Sequence, residues 1–161
     1  MIEQLKELLQ MQEELDERIL KQHGNVYDEK IAKQNEIALF VELGELMNEL
    51  PMHFKHWKKN AVDNRENALV EYVDALHFQL SLFNYCGFDV EDGIHNYKTM
   101  LAGRTEDINA CLIDIVDSCF TEWGLSFLFD LGYILGFTWE EIYDTYKAKN
   151  KINHERQNNN Y

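Results

Sequence analysis

At 161 residues the chain has room for one well-buried core and is short for two, so a single domain spanning 1–161 is expected. An apolar content of 45% excludes a disordered chain, and one proline with eight glycines suits long helices. The net charge of −14 excludes a partner held by non-specific nucleic-acid binding, which needs a basic surface; an anionic substrate would require metal ions and a local basic patch.

The first apolar-periodic stretch, about 2–20, sets Ile2, Leu5, Leu8, Leu9, Leu15 and Ile19 at helical spacing, and Gly24-Asn25 marks its end. A second helix, about 28–50, aligns Ile31, Ile37, Leu39, Phe40, Leu43, Leu46, Met47 and Leu50 on one broad stripe. Pro51 stops it, because proline has no N–H to donate and its ring clashes with the preceding turn. A loop rich in aromatic and basic groups follows, from His53 through Phe54, Lys55, His56 and Trp57 to Lys59. Asp63 with Glu66 predicts the cap of a third helix, about 64–85, ending near Gly87. Asp89 caps a fourth, about 90–102, and a fifth runs from about 106 to 135 with a break expected near Gly124 or Gly132. Thr138 and Glu141 fit a capping box that starts a last helix reaching about 152. The polar tail from Gln157 to Tyr161 is expected to be irregular, with Arg156 beyond the regular helix.

No β-type alternation of useful length, internal repeat or low-complexity linker interrupts this pattern, so the fold class is all-α, an antiparallel helical bundle. There is no 18-residue apolar run and no basic-then-apolar N-terminal layout, so neither a membrane partner nor a signal peptide is expected. Cys86, Cys111 and Cys119 are odd in number, widely spaced and set among apolar residues. They read as small core residues in a reducing compartment, which makes a cytoplasmic location the expectation.

Two acidic pairs carry the chemistry: Glu42 with Glu45, and Glu71 with Asp74. Each has i,i+3 spacing, so on a helix both carboxylates of a pair share one face, with Cβ atoms about 5–6 Å apart. Four carboxylates on two helices packed side by side make a pocket that needs a cation. Hard oxygen donors without Cys or His favour Mg²⁺. One such pair alone is more often a solvated face; two pairs embedded in apolar residues point to a metal site.

Read with their neighbours, these pairs sit in a longer series. Asn48 and Glu49 follow the first pair, Phe54, Lys55, His56 and Trp57 come next, then His77 and Phe78 after the second pair, and finally Lys149, Asn150, Asn153, Arg156, Gln157 and Tyr161. The series resembles the dimeric, all-α dUTPases, within the all-α nucleoside triphosphate pyrophosphatase superfamily that also holds the MazG-type enzymes. The resemblance runs from about residue 9 to the end. It implies hydrolysis of dUTP, and of dUDP as a second substrate, by a homodimer using two or three Mg²⁺ ions. Its matched metal ligands are Glu42, Glu45, Glu71 and Asp74, with Glu42 also orienting or deprotonating the attacking water. Its substrate-binding positions are Gln12, Lys55, Trp57, Phe78, Lys149, Asn153, Arg156 and Tyr161. At Asp16 relatives carry Asn, so Gln12 is the better match for the uracil edge.

Plainer readings stand beside these. Phe78 reads equally as core, His77 as a satisfied core histidine, Glu49 as an outer group of the acidic face. Lys147, Lys149 and Lys151 read as a basic helix end complementing the dipole. No Gly-rich phosphate loop and no Ser-His-Asp or Cys-His arrangement stands out. Besides a dUTP diphosphatase, a broader MazG-type dNTP pyrophosphatase and a non-catalytic helical interaction module remain open. A repressor-type protein partner is implied for phage-borne relatives.

Overall fold

The computed structural model describes residues 1–100 and 107–158. Among them run α1 (Ile2–His23), α2 (Glu29–Glu49), a 3₁₀ turn (Pro51–His53), α3 (Arg65–Cys86), α4 (Val90–Met100), α5 (Ile108–Ser118), α6 (Gly124–Ile134) and α7 (Trp139–Asn158), with no strand.

The centre of the bundle is α3. It buries residues around most of its circumference, from Ala68 and Tyr72 through Leu76 and Leu80 to Phe83, as a helix enclosed by others does. It packs along its length against α2 and also touches α1, α6 and α7. Leu39, Leu43 and Leu46 of α2 and Leu5 and Leu8 of α1 complete the core around it. Each fully buried leucine contributes about 1.5–3 kcal/mol relative to exposure. At Gly132 the approach of α6 is so close that a Cβ would stand 2.7 Å from the Tyr72 hydroxyl. That hydroxyl donates to Leu128 O at 3.0 Å, pinning α6 onto α3.

The expected break in the fifth helix falls between α5 and α6, at 119–123, and Gly132 lies inside α6. Gly124 allows the turn: a Cβ there would meet Ser118 O at 2.7 Å and Gln79 Nε2 at 2.9 Å. The capping box of α7 forms as expected, with Thr138 N–H donating to Glu141 Oε2 at 2.8 Å and Glu141 N–H donating to Thr138 Oγ1 at 3.2 Å.

Two expectations need correction. The cap of α3 is Asn64, whose side chain accepts from Asn67 N–H at 3.1 Å. Asp63 instead accepts from Met52 N–H at 2.9 Å and pairs with His53 at 3.2 Å, bracing the loop. The last helix extends to Asn158, so Arg156 and Gln157 are helical. The cause is docking on α1: Arg18 meets His154 at 3.0 Å and donates to Asn158 at 2.5 Å, and Gln22 donates to Gln157 O at 3.1 Å. Tyr161 lies outside the described residues.

Candidate active site

The packing of α2 on α3 turns the two acidic pairs toward each other. One carboxylate oxygen from each of Glu42, Glu45 and Glu71 lies within 4.8 Å of the others. Burial raises the Glu42 carboxyl to about 7, helped by the carboxylates of Asp74, Glu45 and Glu71. Burial likewise raises Glu71, with Asp74 and Glu45 adding to it. Like charges gathered in a partly desolvated place hold protons unless a cation replaces them. The donor set is all carboxylate oxygen, which fits a hard divalent ion such as Mg²⁺.

Asp74 completes the group through a different partner. Lys149 Nζ of α7 stands 2.6 Å from Asp74 Oδ2, both side chains being about one-fifth exposed (19% and 20%). The helix-end reading of the lysine cluster therefore fails for Lys149, which turns inward. Lys147 goes elsewhere, to Glu7 at 2.8 Å. Glu49 accepts from Asn67 Nδ2 at 3.3 Å at the outer end of the acidic face.

One turn farther along α3 and α7 opens a cavity of about 280 Å³. Gln12 and Asp16 of α1, Tyr27, Asn35 of α2, His77 and Phe78 of α3, and Asn153, Arg156 and Gln157 of α7 line it with several aliphatic side chains. The register explains this: Asp74, His77, Phe78 and Ser81 follow one another at helical steps on α3, as Lys149, Asn153 and Arg156 do on α7. At 1.5 Å per residue, Ser81 lies roughly 10 Å from Asp74 along the axis.

The pocket is polar in a particular way. His77 stacks on Tyr146 with centroids 4.0 Å apart. Its Nδ1 bonds Val73 O at 2.8 Å and so carries the proton. Burial pushes its imidazole down to about 4. Its Nε2 is then a buried acceptor without a partner, and Gln157 Oε1 is another. Each unpaired buried polar atom costs about 1–3 kcal/mol, a cost that a ligand bearing N–H or O–H donors would relieve. The reading of His77 as a satisfied core residue thus holds for its burial and not for its hydrogen bonds.

Gln12, Phe78, Asn153 and Arg156 come together at this pocket, and Lys149 joins the carboxylates. Lys55 and Trp57 do not meet them. Lys55 donates to Asn48 at 3.2 Å and lies over the Phe54 ring, while Trp57 is 67% exposed and packs edge-on against His56. Sequence reasoning missed Ser81, Tyr27, Asn35 and Tyr146, which hold Gln12 and Asp16 in place. The available signal was Ser81, a polar residue one turn past Phe78 inside an apolar run.

Among the described residues the fold is all-helical, with a carboxylate cluster one turn from a polar pocket. The family model described as dUTPase matches residues 4–161, and the chain belongs to that family, the dimeric all-α dUTPases, as a dUTP diphosphatase. A search of the curated proteins finds no match to this chain. Such enzymes generally use a divalent metal. Among the described residues no helix is long and apolar enough to cross a membrane.

Proposed function

We propose that the chain hydrolyses dUTP to dUMP and pyrophosphate, and dUDP to dUMP and phosphate, with two or three Mg²⁺ ions held by Glu42, Glu45, Glu71 and Asp74. The observation that carries this reading is the convergence of three carboxylate oxygens within 4.8 Å, one turn from a pocket with two unpartnered buried acceptors. Bound there, Mg²⁺ would neutralise charge on the phosphate oxygens and acidify the attacking water. Glu42 orients that water and takes its proton. Gln12 and Phe78 hold the uracil, and Lys149, Asn153, Arg156 and Tyr161 bear on the phosphates. Lys55 and Trp57 sit on an exposed loop and enter only as groups the loop brings in with substrate.

A homodimer is supported by the outer face of α2, where Ile37 is 60% and Val41 51% exposed. A cytoplasmic location is supported by Cys86, Cys111 and Cys119 sitting in or beside the core with no disulfide among the described residues. Pyrophosphate release from each dNTP, with and without Mg²⁺, tests the function. Mg²⁺-dependent release from dUTP alone is expected. Equal release from all dNTPs would favour the MazG-type reading, and none at all would leave a helical interaction module, such as one that binds a repressor-type protein.

A further inference from the structure

The segment joining α2 to α3 is tied at its base and loose at its tip. At the base, Asn64 N–H donates to Glu49 O at 2.8 Å, so the chain returns to the point where it left α2. Beside that bond the Asp63 carboxylate uses both oxygens on the outgoing chain. Oδ1 accepts from Met52 N–H at 2.9 Å, and Oδ2 stands 3.2 Å from His53 Nε2. Met52 lies in the first turn of the 3₁₀ segment behind Pro51, where an N–H has no carbonyl of its own helix to meet. Asp63 fills that place from the far end of the loop. Asn109 Nδ2 of α5 adds a contact to His53 O at 3.4 Å.

The tip is built differently. Phe54 is half-buried against the core and marks where the loop leaves the body. Lys58 N–H donates to Lys55 O at 2.8 Å, a single turn. Among the described residues no hydrogen bond holds Lys59, Asn60, Ala61 or Val62, and Val62 is 79% exposed. Lys55 Nζ donates to Asn48 Oδ1 at 3.2 Å. Asn48 follows Glu45 by three residues and shares its helix face. The cation on the tip therefore stands about one helical turn, roughly 5 Å, beyond the carboxylate cluster.

We infer that Asp63 is a positioning residue for the hydrolysis: it fixes the neck of this loop, so that the tip turns as one piece and carries Lys55 to the phosphate anion at the acidic cluster. This takes from the proposed function that Lys55 enters with substrate. A fixed neck shortens the stretch that must be ordered at each encounter, and ordering the chain is a main cost of bringing a loop onto a ligand. It also limits the motion to residues between Phe54 and Val62, since Met52, His53 and Asp63 are held. Without Asp63 the 3₁₀ turn loses its remote cap and the hinge spreads back toward Leu50. Lys55 then approaches the cluster from many more conformations, few of them productive. Its contact is made with bound substrate before reaction as well as during it, so the loss falls on KM more than on kcat.

Steady-state kinetics and limited proteolysis test this together. Asp63→Ala should raise KM for dUTP by about tenfold and change kcat by about twofold or less. Asp63→Asn keeps an acceptor for Met52 N–H and should recover most of that rise. Lys55→Met should raise KM by itself, and adding Asp63→Ala to it should cost little more, because both act through one contact. Asn64→Ala is the control for stability: it removes the cap of α3, keeps the main-chain bond to Glu49, and should lower Tm with KM unchanged. In EDTA and without nucleotide, trypsin should cut Asp63→Ala after Lys58 and Lys59 about tenfold faster than the parent, since cutting follows the population of the opened segment.

An equal rise of KM in Asn64→Ala, or the full Asp63→Ala loss persisting in the Lys55→Met background, would overturn the inference. A harmful Lys55→Met beside a silent Asp63→Ala sinks the inference alone. A silent Lys55→Met sinks the proposed entry of Lys55 with substrate, and the inference with it.

Discussion

Lys149 Nζ lies 2.6 Å from Asp74 Oδ2 and is the cation that α7 contributes to the acidic cluster on α2 and α3. It lowers the proton affinity of both Glu42 and Glu71, opposing the effect of their acidic neighbours. Lys149→Met should therefore cost about 2–3 kcal/mol in metal-free protein, since removing one partner of a mostly buried pair strands the other charge. Part of that loss should return with Mg²⁺, because a ligand of the folded state stabilises it by mass action. Thermal melts with and without Mg²⁺ measure this; an unchanged melting temperature without metal would show that the pair contributes nothing.

Glu71→Gln should lower Mg²⁺-dependent dUTP turnover by about a hundredfold or more, as loss of a metal-holding group does. The same variant should gain some tenths of a kcal/mol when metal-free, because it removes one of several like charges at close quarters. Circular dichroism melts in EDTA and a pyrophosphate assay read the two effects separately. Near-normal activity in this variant would remove Glu71 from the metal site.

Phe78 lies half-buried in the pocket wall, packed against the core on one side. Uracil differs from thymine by a methyl group, and shape exclusion of this size is worth about 1–3 kcal/mol. Phe78→Ala should raise KM for dUTP and narrow the dUTP/dTTP ratio of kcat/KM by about tenfold or more. Steady-state kinetics with both substrates check it. An unaltered ratio would return Phe78 to the core alone.

Glu141 accepts from Arg65 through both oxygens, at 2.9 and 3.0 Å, and caps α7 together with Thr138. The Arg65 hydrogen bonds first, then the Thr138 amide, hold its carboxyl down at about 2. A carboxyl depressed in the folded state contributes stability above its ordinary value, and that contribution fades as pH falls toward about 2. Glu141→Gln should cost about 1 kcal/mol near neutral pH, or roughly 2–4 °C in Tm. The gap between variant and parent should close on acidification below the ordinary carboxylate range. A gap constant with pH would mean that the loss is steric, not electrostatic.

The elements that were legible had local causes. The capping box at Thr138 and the stop at Pro51 depend only on residues within one turn, and both form as expected. Asp63 and Asn64 were harder to separate, because either side chain can cap and the loop decided between them by using Asp63 to brace Met52 and His53. The end of α7 was misread for a similar reason. A polar run frays when alone, whereas here Arg18 and Gln22 of α1 hold its last turns in place.

The acidic pairs could be read from the chain because i,i+3 spacing on a helix is a property of the helix itself, whatever surrounds it. The sequence by itself thus determined an all-helical chain carrying Glu42 with Glu45 and Glu71 with Asp74 on shared faces. Which faces meet is another matter. The contact of Asp16 with Ser81, 65 residues away, and of Lys149 with Asp74 depends on how each helix is rotated about its axis against the others. That rotation is set by the summed packing of side chains such as Leu5, Leu8, Tyr72 and Tyr146 around α3, and no single periodicity encodes it. Only the tertiary structure could decide that the part-buried Asp16 carboxylate accepts from both Gln12 and Ser81, that His77 keeps an unpaired nitrogen, and that Trp57 stands away from the pocket.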